Sequence, residues 1–96
     1  MESVNTVEDM KLFNSSFDGD LEGVVDALAQ GGRVAMRSPQ GATPLLTAAL
    51  NGHTDICGLL LEHGSDVAMR NHQGFTPLLA AAQNGHTDIC GLLLAH

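Results

Sequence analysis

Apolar residues along this chain come in short blocks at helical spacing, divided by polar stretches rich in Gly, Asn and Asp. The block "GATPLLTAALNG", residues 41–52, places Leu45, Ala48 and Ala49 at i, i+3 and i+4, one stripe of a helix. Thr43 stands where an N-cap belongs, and Pro44 holds the first helical position, where its missing N–H costs nothing. Asn51-Gly52 then closes the helix. A second helix is predicted from about Thr54-Asp55, with Thr54 as N-cap and Asp55 at the positive end of the helix dipole. Ile56, Leu59 and Leu60 share one of its faces and Cys57, Leu60 and Leu61 the adjoining one, until Gly64 stops it. "SDVAMRNHQG", residues 65–74, is extended and polar, with Asn71 and Gly74 as turn formers.

The pattern returns after thirty-three residues. Set beside 74–96, the 23 residues of 41–63 differ at Ala42/Phe75, Thr47/Ala80, Leu50/Gln83 and Glu62/Ala95, which leaves 19 identities. The linkers match too, "RVAMRSPQG" (33–41) answering "DVAMRNHQG" (66–74). One period earlier, Gly19, Glu22, Leu28 and Gly31 fall on Gly52, Asp55, Leu61 and Gly64. No helix pair can bury its apolar face alone, but stacked pairs can. The period therefore predicts an all-α solenoid of antiparallel helix pairs with protruding β-hairpin-like loops.

These residues resemble the ankyrin repeat. "GATPLLTAALNGHTDICGLLLEHGSDV" from Gly41 and "GFTPLLAAAQNGHTDICGLLLAH" from Gly74 nearly spell out its motif, G-x-T-P-L-H-x-A-A followed by G-H-x-(D/E)-(I/V)-V-x-L-L-L-x-x-G-A-D-V. "GDLEGVVDALAQGGRV", residues 19–34, reads as a degenerate first copy, preceded by a polar helix around 7–18. The resemblance implies a flexible N-terminus over 1–6 and a capping repeat over 7–40. A second repeat then covers 41–73, and a third, 74–96, stops before its loop. The chain departs from the motif at three points. Leu46 and Leu79 replace the His after Leu, Ala35 and Ala68 replace the Asn after Asp-Val, and Ser38 and Asn71 replace the Asp opening the finger turn. The last two changes predict weaker hydrogen bonding between neighbouring loops.

Composition narrows what such a stack can do. With three Phe and no Trp or Tyr, the aliphatic side chains must do the packing. Net charge is −7 and lopsided: up to Asp26, Glu2, Glu8, Asp9, Asp18, Asp20, Glu22 and Asp26 face only Lys11. That balance argues against nucleic acid and anionic membranes as partners, since both need clustered Lys and Arg. The acidic stretch reads as a solvated cap, with a surface for a basic partner as the alternative. No apolar run reaches the ~18 residues of a membrane span, no signal peptide opens the chain, and Cys57 and Cys90 are too few for a disulfide scaffold. The expected location is cytoplasmic, with the nucleus as an alternative, and not secreted; the sequon Asn14-Ser15-Ser16 is read as chance.

His53 and Cys57 stand four apart, as do His86 and Cys90, and such a pair can supply two zinc ligands. A closed site needs both pairs to converge, yet equivalent positions of stacked units lie roughly 8–10 Å apart. That gap also exceeds the ~7 Å reach of a disulfide. The expectation is therefore no metal, no cofactor and no Cys57–Cys90 bridge: each His begins a helix and each Cys is a small buried thiol. His53-Thr54-Asp55 cannot converge as a triad from consecutive positions, so no catalytic residue and no enzyme is expected. Gly58 and Gly91, mid-helix, each cost roughly 0.5–1 kcal/mol relative to Ala. They are either tolerated or leave room for a partner's backbone.

Positions that escape repetition are those that packing does not dictate. In the family pattern they lie on the loop fingertips and the outward side of the first helix, which line a concave groove. The resemblance thus implies a protein–protein interaction module. Its partner-binding residues are expected to be Arg37, Gln40, Leu50 and Asn51 from one unit, and Arg70, His72, Gln73, Phe75, Gln83 and Asn84 from the next. Phe75 is either an anchor for the partner or packs on the neighbouring finger, while Arg37 and Arg70 suit acidic groups on a ligand. "LLLA", residues 92–95, is predicted to face outward without a polar cap. Either the array continues beyond His96, or a second copy covers this face and makes a homo-oligomer. A self-assembling stack and a regulatory N-terminal array of a larger enzyme or channel are the rival readings.

Overall fold

Each predicted helix boundary can be checked against its own cap. The computed structural model describes residues 4–96 as six helices: α1 (Val7–Asp18), α2 (Leu21–Ala29), α3 (Pro44–Leu50), α4 (Thr54–Glu62), α5 (Pro77–Gln83) and α6 (Thr87–Leu94). No strand occurs among the described residues. Thr43 and Thr76 cap α3 and α5, each hydroxyl accepting the N–H three residues on at 3.2 Å, and Pro44 and Pro77 open these helices. Gly52, at φ 79°, turns the chain into α4 in the left-handed region that favours glycine. α4 itself starts one residue differently from the expectation. His53, not Thr54, is the N-cap, because the His53 carbonyl accepts the first helical bond from the Cys57 N–H at 3.0 Å. No side chain caps this end, and His86 repeats the arrangement on α6.

The first unit is tied down more firmly than its polar sequence suggests. Thr6 and Asp9 form a capping box, with the Thr6 hydroxyl accepting from the Asp9 N–H at 3.1 Å and the Asp9 carboxylate from the Thr6 N–H at 2.9 Å. Asn5 donates to the Arg37 carbonyl at 2.7 Å, and Arg33 to the Val4 carbonyl at 3.0 Å. Residues 4–6, read from sequence as the end of a flexible tail, are therefore pinned by hydrogen bonds; residues 1–3 of that tail lie outside the described residues.

α1, α3 and α5 pack directly against one another, whereas α2, α4 and α6 touch more sparingly. Small residues explain the difference: Ala48, Ala49 and Ala81 are fully buried and let the first helices approach closely. The first helices therefore stand closer together along the stack than the second helices do. One apolar core runs through all three units, from Leu12 and Val24 through Leu45, Ile56 and Leu60 to Ile89 and Leu93. Each such Leu contributes about 1.5–3 kcal/mol of burial free energy. Leu93 corrects the expectation that 92–95 all face outward. α6 turns Leu93 into its own pair's core, Leu92 is half-buried, and only Leu94 and Ala95 stand exposed.

The loops between units form fingers closed by tight turns, the Gly41 N–H meeting the Ser38 carbonyl at 2.8 Å and the Gly74 N–H the Asn71 carbonyl at 3.0 Å. Ser38 and Asn71 do the work the missing Asp would have done. The Ser38 hydroxyl accepts from the Ala42 N–H at 3.2 Å, and the Asn71 amide oxygen from the Gln73 and Phe75 N–H groups at 2.9 and 3.0 Å. Neighbouring fingers are joined as well, by the His72 N–H on the Gln40 carbonyl at 2.9 Å and the Arg37 guanidinium on the Arg70 carbonyl. Both links, a backbone bond and a guanidinium bond, use groups other than the replaced side chains.

Candidate protein-binding surface

The thirty-three-residue period places Phe17, Leu50 and Gln83 at the same point of α1, α3 and α5. All three are exposed at the ends of the first helices, Phe17 by 52% and Leu50 by 42%. Their spacing is held by histidines. The His53 ring donates from Nε2 to the Phe17 carbonyl at 2.9 Å, and the His86 ring to the Leu50 carbonyl at 3.1 Å. A carbonyl can only accept, so each ring carries its proton on Nε2. Each ring also lies on a glycine of the preceding unit: a Cβ at Gly19 would stand 2.7 Å from His53, and one at Gly52 would stand 2.8 Å from His86. These histidines are spent on joining units, and Cys57 is sealed in the core. Burial pushes the Cys57 thiol up to about 12, so it stays protonated. Cys90 departs from the expected buried thiol: it is half-buried on α6.

Phe17 was legible but overlooked, since aligning Gly19 with Gly52 also aligns Phe17 with Leu50. Of the residues singled out from sequence, Leu50, Asn51, Gln83 and Asn84 lie exposed at the ends of α3 and α5. Asn51 reaches the Phe17 carbonyl at 3.4 Å, while Asn84 turns back onto the Ala80 carbonyl at 2.8 Å. Gln40, Arg70, His72 and Gln73 are exposed on the fingers, and Phe75 is half-buried. A hollow of about 730 Å³ brings Arg37 and His72 together beside Asn5, Arg33 and Met36. Arg37 is also the clamp of the fingers, giving Nε to the Gly41 carbonyl at 3.1 Å as well as bonding to Arg70.

The reading of the acidic stretch as solvated fails at Asp9, which is fully buried. Its carboxylate takes the Arg33 backbone N–H at 2.8 Å, the Arg33 guanidinium and the Thr6 N–H. The Arg33 guanidinium, followed by these backbone donors, outweighs burial and holds the carboxyl well below the usual carboxylate range. All three Arg thus sit on the loop side of the molecule, at 33, 37 and 70. Among the described residues, no group of three or more His, Cys, Asp or Glu is placed to hold a metal ion, and no helix is long and apolar enough to cross a membrane.

Stacked helix pairs at a thirty-three-residue period, joined by paired fingers, define a class of helical repeat protein. A family model of ankyrin repeats, three copies, matches residues 12–96, and the chain belongs to that family. No curated protein matches it. Ankyrin repeats are generally protein–protein interaction modules and typically carry no catalytic chemistry.

Proposed function

We propose that the chain binds a protein partner through its concave side, along the first helices from the fingers to the helix ends, and that it does so in the cytosol or nucleus. The observation that carries this reading is the exposed apolar row of Phe17 and Leu50, held at fixed spacing by the histidine links between units. The row stands at the C-terminal ends of α1 and α3, and the finger carrying Arg70, His72 and Gln73 precedes the N-terminus of α5, so a partner lying along the first helices meets apolar contacts at one end and polar contacts at the other. Phe75 contributes by setting the shape of its finger as well as by contact.

Affinity capture from cell extract tests this, comparing the wild-type chain with Phe17→Ser, Leu50→Ser, Arg70→Ala and Phe75→Ala. The expected result is a protein retained by the wild type, lost with the Phe17 and Leu50 variants, weakened by the other two, and still retained by Glu62→Lys on the outer face. Retention that ignores all the concave variants overturns the reading. A second reading, self-assembly through the last unit, is favoured by the exposure of Leu79 (44%) and Leu94 (73%). Light scattering across a concentration series decides it: a monomer throughout removes it, while association abolished by Leu94→Lys supports it.

A further inference from the structure

The outer face of the stack carries an apolar groove that the concave reading does not use. Its floor is Gly58, in the middle of α4. Leu21 and Val25 of α2 wall it on one side and Leu92 of α6 on the other, with Leu59 beside the floor, around a volume of about 530 Å³. A second hollow of about 210 Å³, lined by Val25, Leu28, Ala29, Leu59 and His63, adjoins it across Val25 and Leu59. The groove has two causes. The second helices stand apart from one another along the stack, and Gly58 lacks the side chain that would fill the gap. Internal packing does not require that absence, because a Cβ at Gly58 would touch only the tip of Leu92, at 3.9 Å.

The rim is acidic: Asp55 and Glu62 of α4 line the groove. The flanking helices add Glu22 and Asp26 on α2 and Asp88 on α6, and none of α2, α4 and α6 carries a Lys or Arg. Among the described residues, Asp26 is the one of these carboxylates in an ion pair, with Lys11 at 3.9 Å. Apolar floor and anionic rim together select their complement.

We propose that the groove over Gly58 docks an amphipathic helix of a partner protein, its apolar side chains entering between α2 and α6 and its Lys and Arg pairing with the rim. The dimensions suit a helix. From α2 to α6 is two helix spacings, roughly 16–20 Å, which a helix of about 11–13 residues crosses. A ridge of side chains at i, i+3, i+4 and i+7 fits a groove floored by glycine. Anionic lipid headgroups meet repulsion from the same rim.

The probe is a labelled peptide of about 14 residues with Leu along one helical face and Lys on its flanks, titrated into the full chain. A shuffled peptide of the same composition runs beside it. The expected result is at least tenfold tighter binding of the amphipathic peptide, with NMR shifts at Leu21, Val25, Gly58, Leu59 and Leu92. Gly58→Leu fills the floor and weakens binding at least tenfold; Asp55→Lys with Glu62→Lys does so independently through the rim. Circular dichroism of both variants registers the folded stack. The proposal is overturned by equal binding of the shuffled peptide, by shifts confined to the fingers, or by unchanged affinity in either variant. It is also overturned if a dimer of the chain buries these residues, or if phosphatidylcholine vesicles take up the face in the peptide's place. Phe17→Ser and Leu50→Ser leave peptide binding unchanged, so failure here and failure of the concave reading are distinguishable.

Discussion

The second and third units are almost the same sequence in two different environments. Leu46 and Leu79 occupy one position of the period, yet Leu46 is 4% exposed and Leu79 44%. Leu61 and Leu94 contrast more sharply, at 7% and 73%, and Cys57 is sealed where Cys90 is half-buried. The helices themselves are alike: Thr43 and Thr76 cap them with the same bond, and the same prolines open them. Local sequence therefore decides that each helix forms and where it starts. What a residue contributes to stability is decided by whether a neighbouring unit stands on it.

Alanine scanning at paired positions breaks this comparison most directly. Leu46→Ala should cost about 2–5 kcal/mol by opening a cavity in the core. Leu79→Ala, with nearly half its surface already in water, should cost at most about 1 kcal/mol. Urea denaturation of the two variants gives the difference, and equal costs would mean that stacking does not set the value of a position. Appending a further copy of residues 64–96 after His96 sharpens the test, since it should bury Leu79 and raise the cost at that site towards that at Leu46.

The first unit offers a second contrast, at one position of the loop. Arg33 answers Asp66 one period later; Arg33 pairs with buried Asp9, while the exposed Asp66 only caps the Ala68 N–H at 2.9 Å. Arg33→Ala leaves a buried carboxylate without its guanidinium, and should lower the melting temperature far more than Asp66→Ala. The pH dependence follows from the depressed Asp9 carboxyl. Its contribution is complete above the ordinary Asp pKa of ~3.9 and is lost progressively as pH falls below that value towards the folded-state pKa. Thermal melts between neutral and acid pH should show this loss in the wild type, and Asp9→Asn should be destabilised at neutral pH with a flatter acid limb.

Sequence made the scaffold legible because its rules are local. Thr43-Pro44, the apolar stripes and the glycines between helices are read within a few residues, and the period then supplies the stacking. What escaped was long-range. Asp9 and Arg33 are 24 residues apart, and nothing in the acidic stretch marks Asp9 as a carboxylate to be buried. Thr54 was assigned the N-cap from residue type alone, but His53 takes that place. Its ring also serves the preceding unit, through a bond spanning 36 residues. Arg37, expected as a partner contact, also clamps the fingers, and Phe75, expected as an anchor or packed on the neighbouring finger, is half-buried.

The cysteines test the same comparison at a smaller scale. Cys57→Ser puts a hydroxyl into a sealed apolar site and should cost about 1–3 kcal/mol. Cys90→Ser keeps contact with water and should cost little. A thiol reagent under native conditions should label Cys90 promptly, and Cys57 only when the stack opens, because the thiol is both covered and held protonated. Mass spectrometry of the digested protein separates the two sites, and equal rates would show that the last unit is as well covered as the middle one.

The smallest expected effect is at Gly58 and Gly91, where each glycine sits in helical backbone and pays its conformational entropy without a packing return. Ala at either site should stabilise by about 0.5–1 kcal/mol, a rise of a few degrees in melting temperature for a domain this small. Position 58 should gain slightly more, since its new methyl group finds Leu92 at 3.9 Å while one at 91 meets nothing within 4 Å. A gain at both sites means that folding does not account for glycine at these positions, and that the reason lies with whatever the outer face binds. A loss at 58 alone would show that α4 and α6 already meet there more closely than the groove requires, and the two units would differ in their outer helices as well as in their burial.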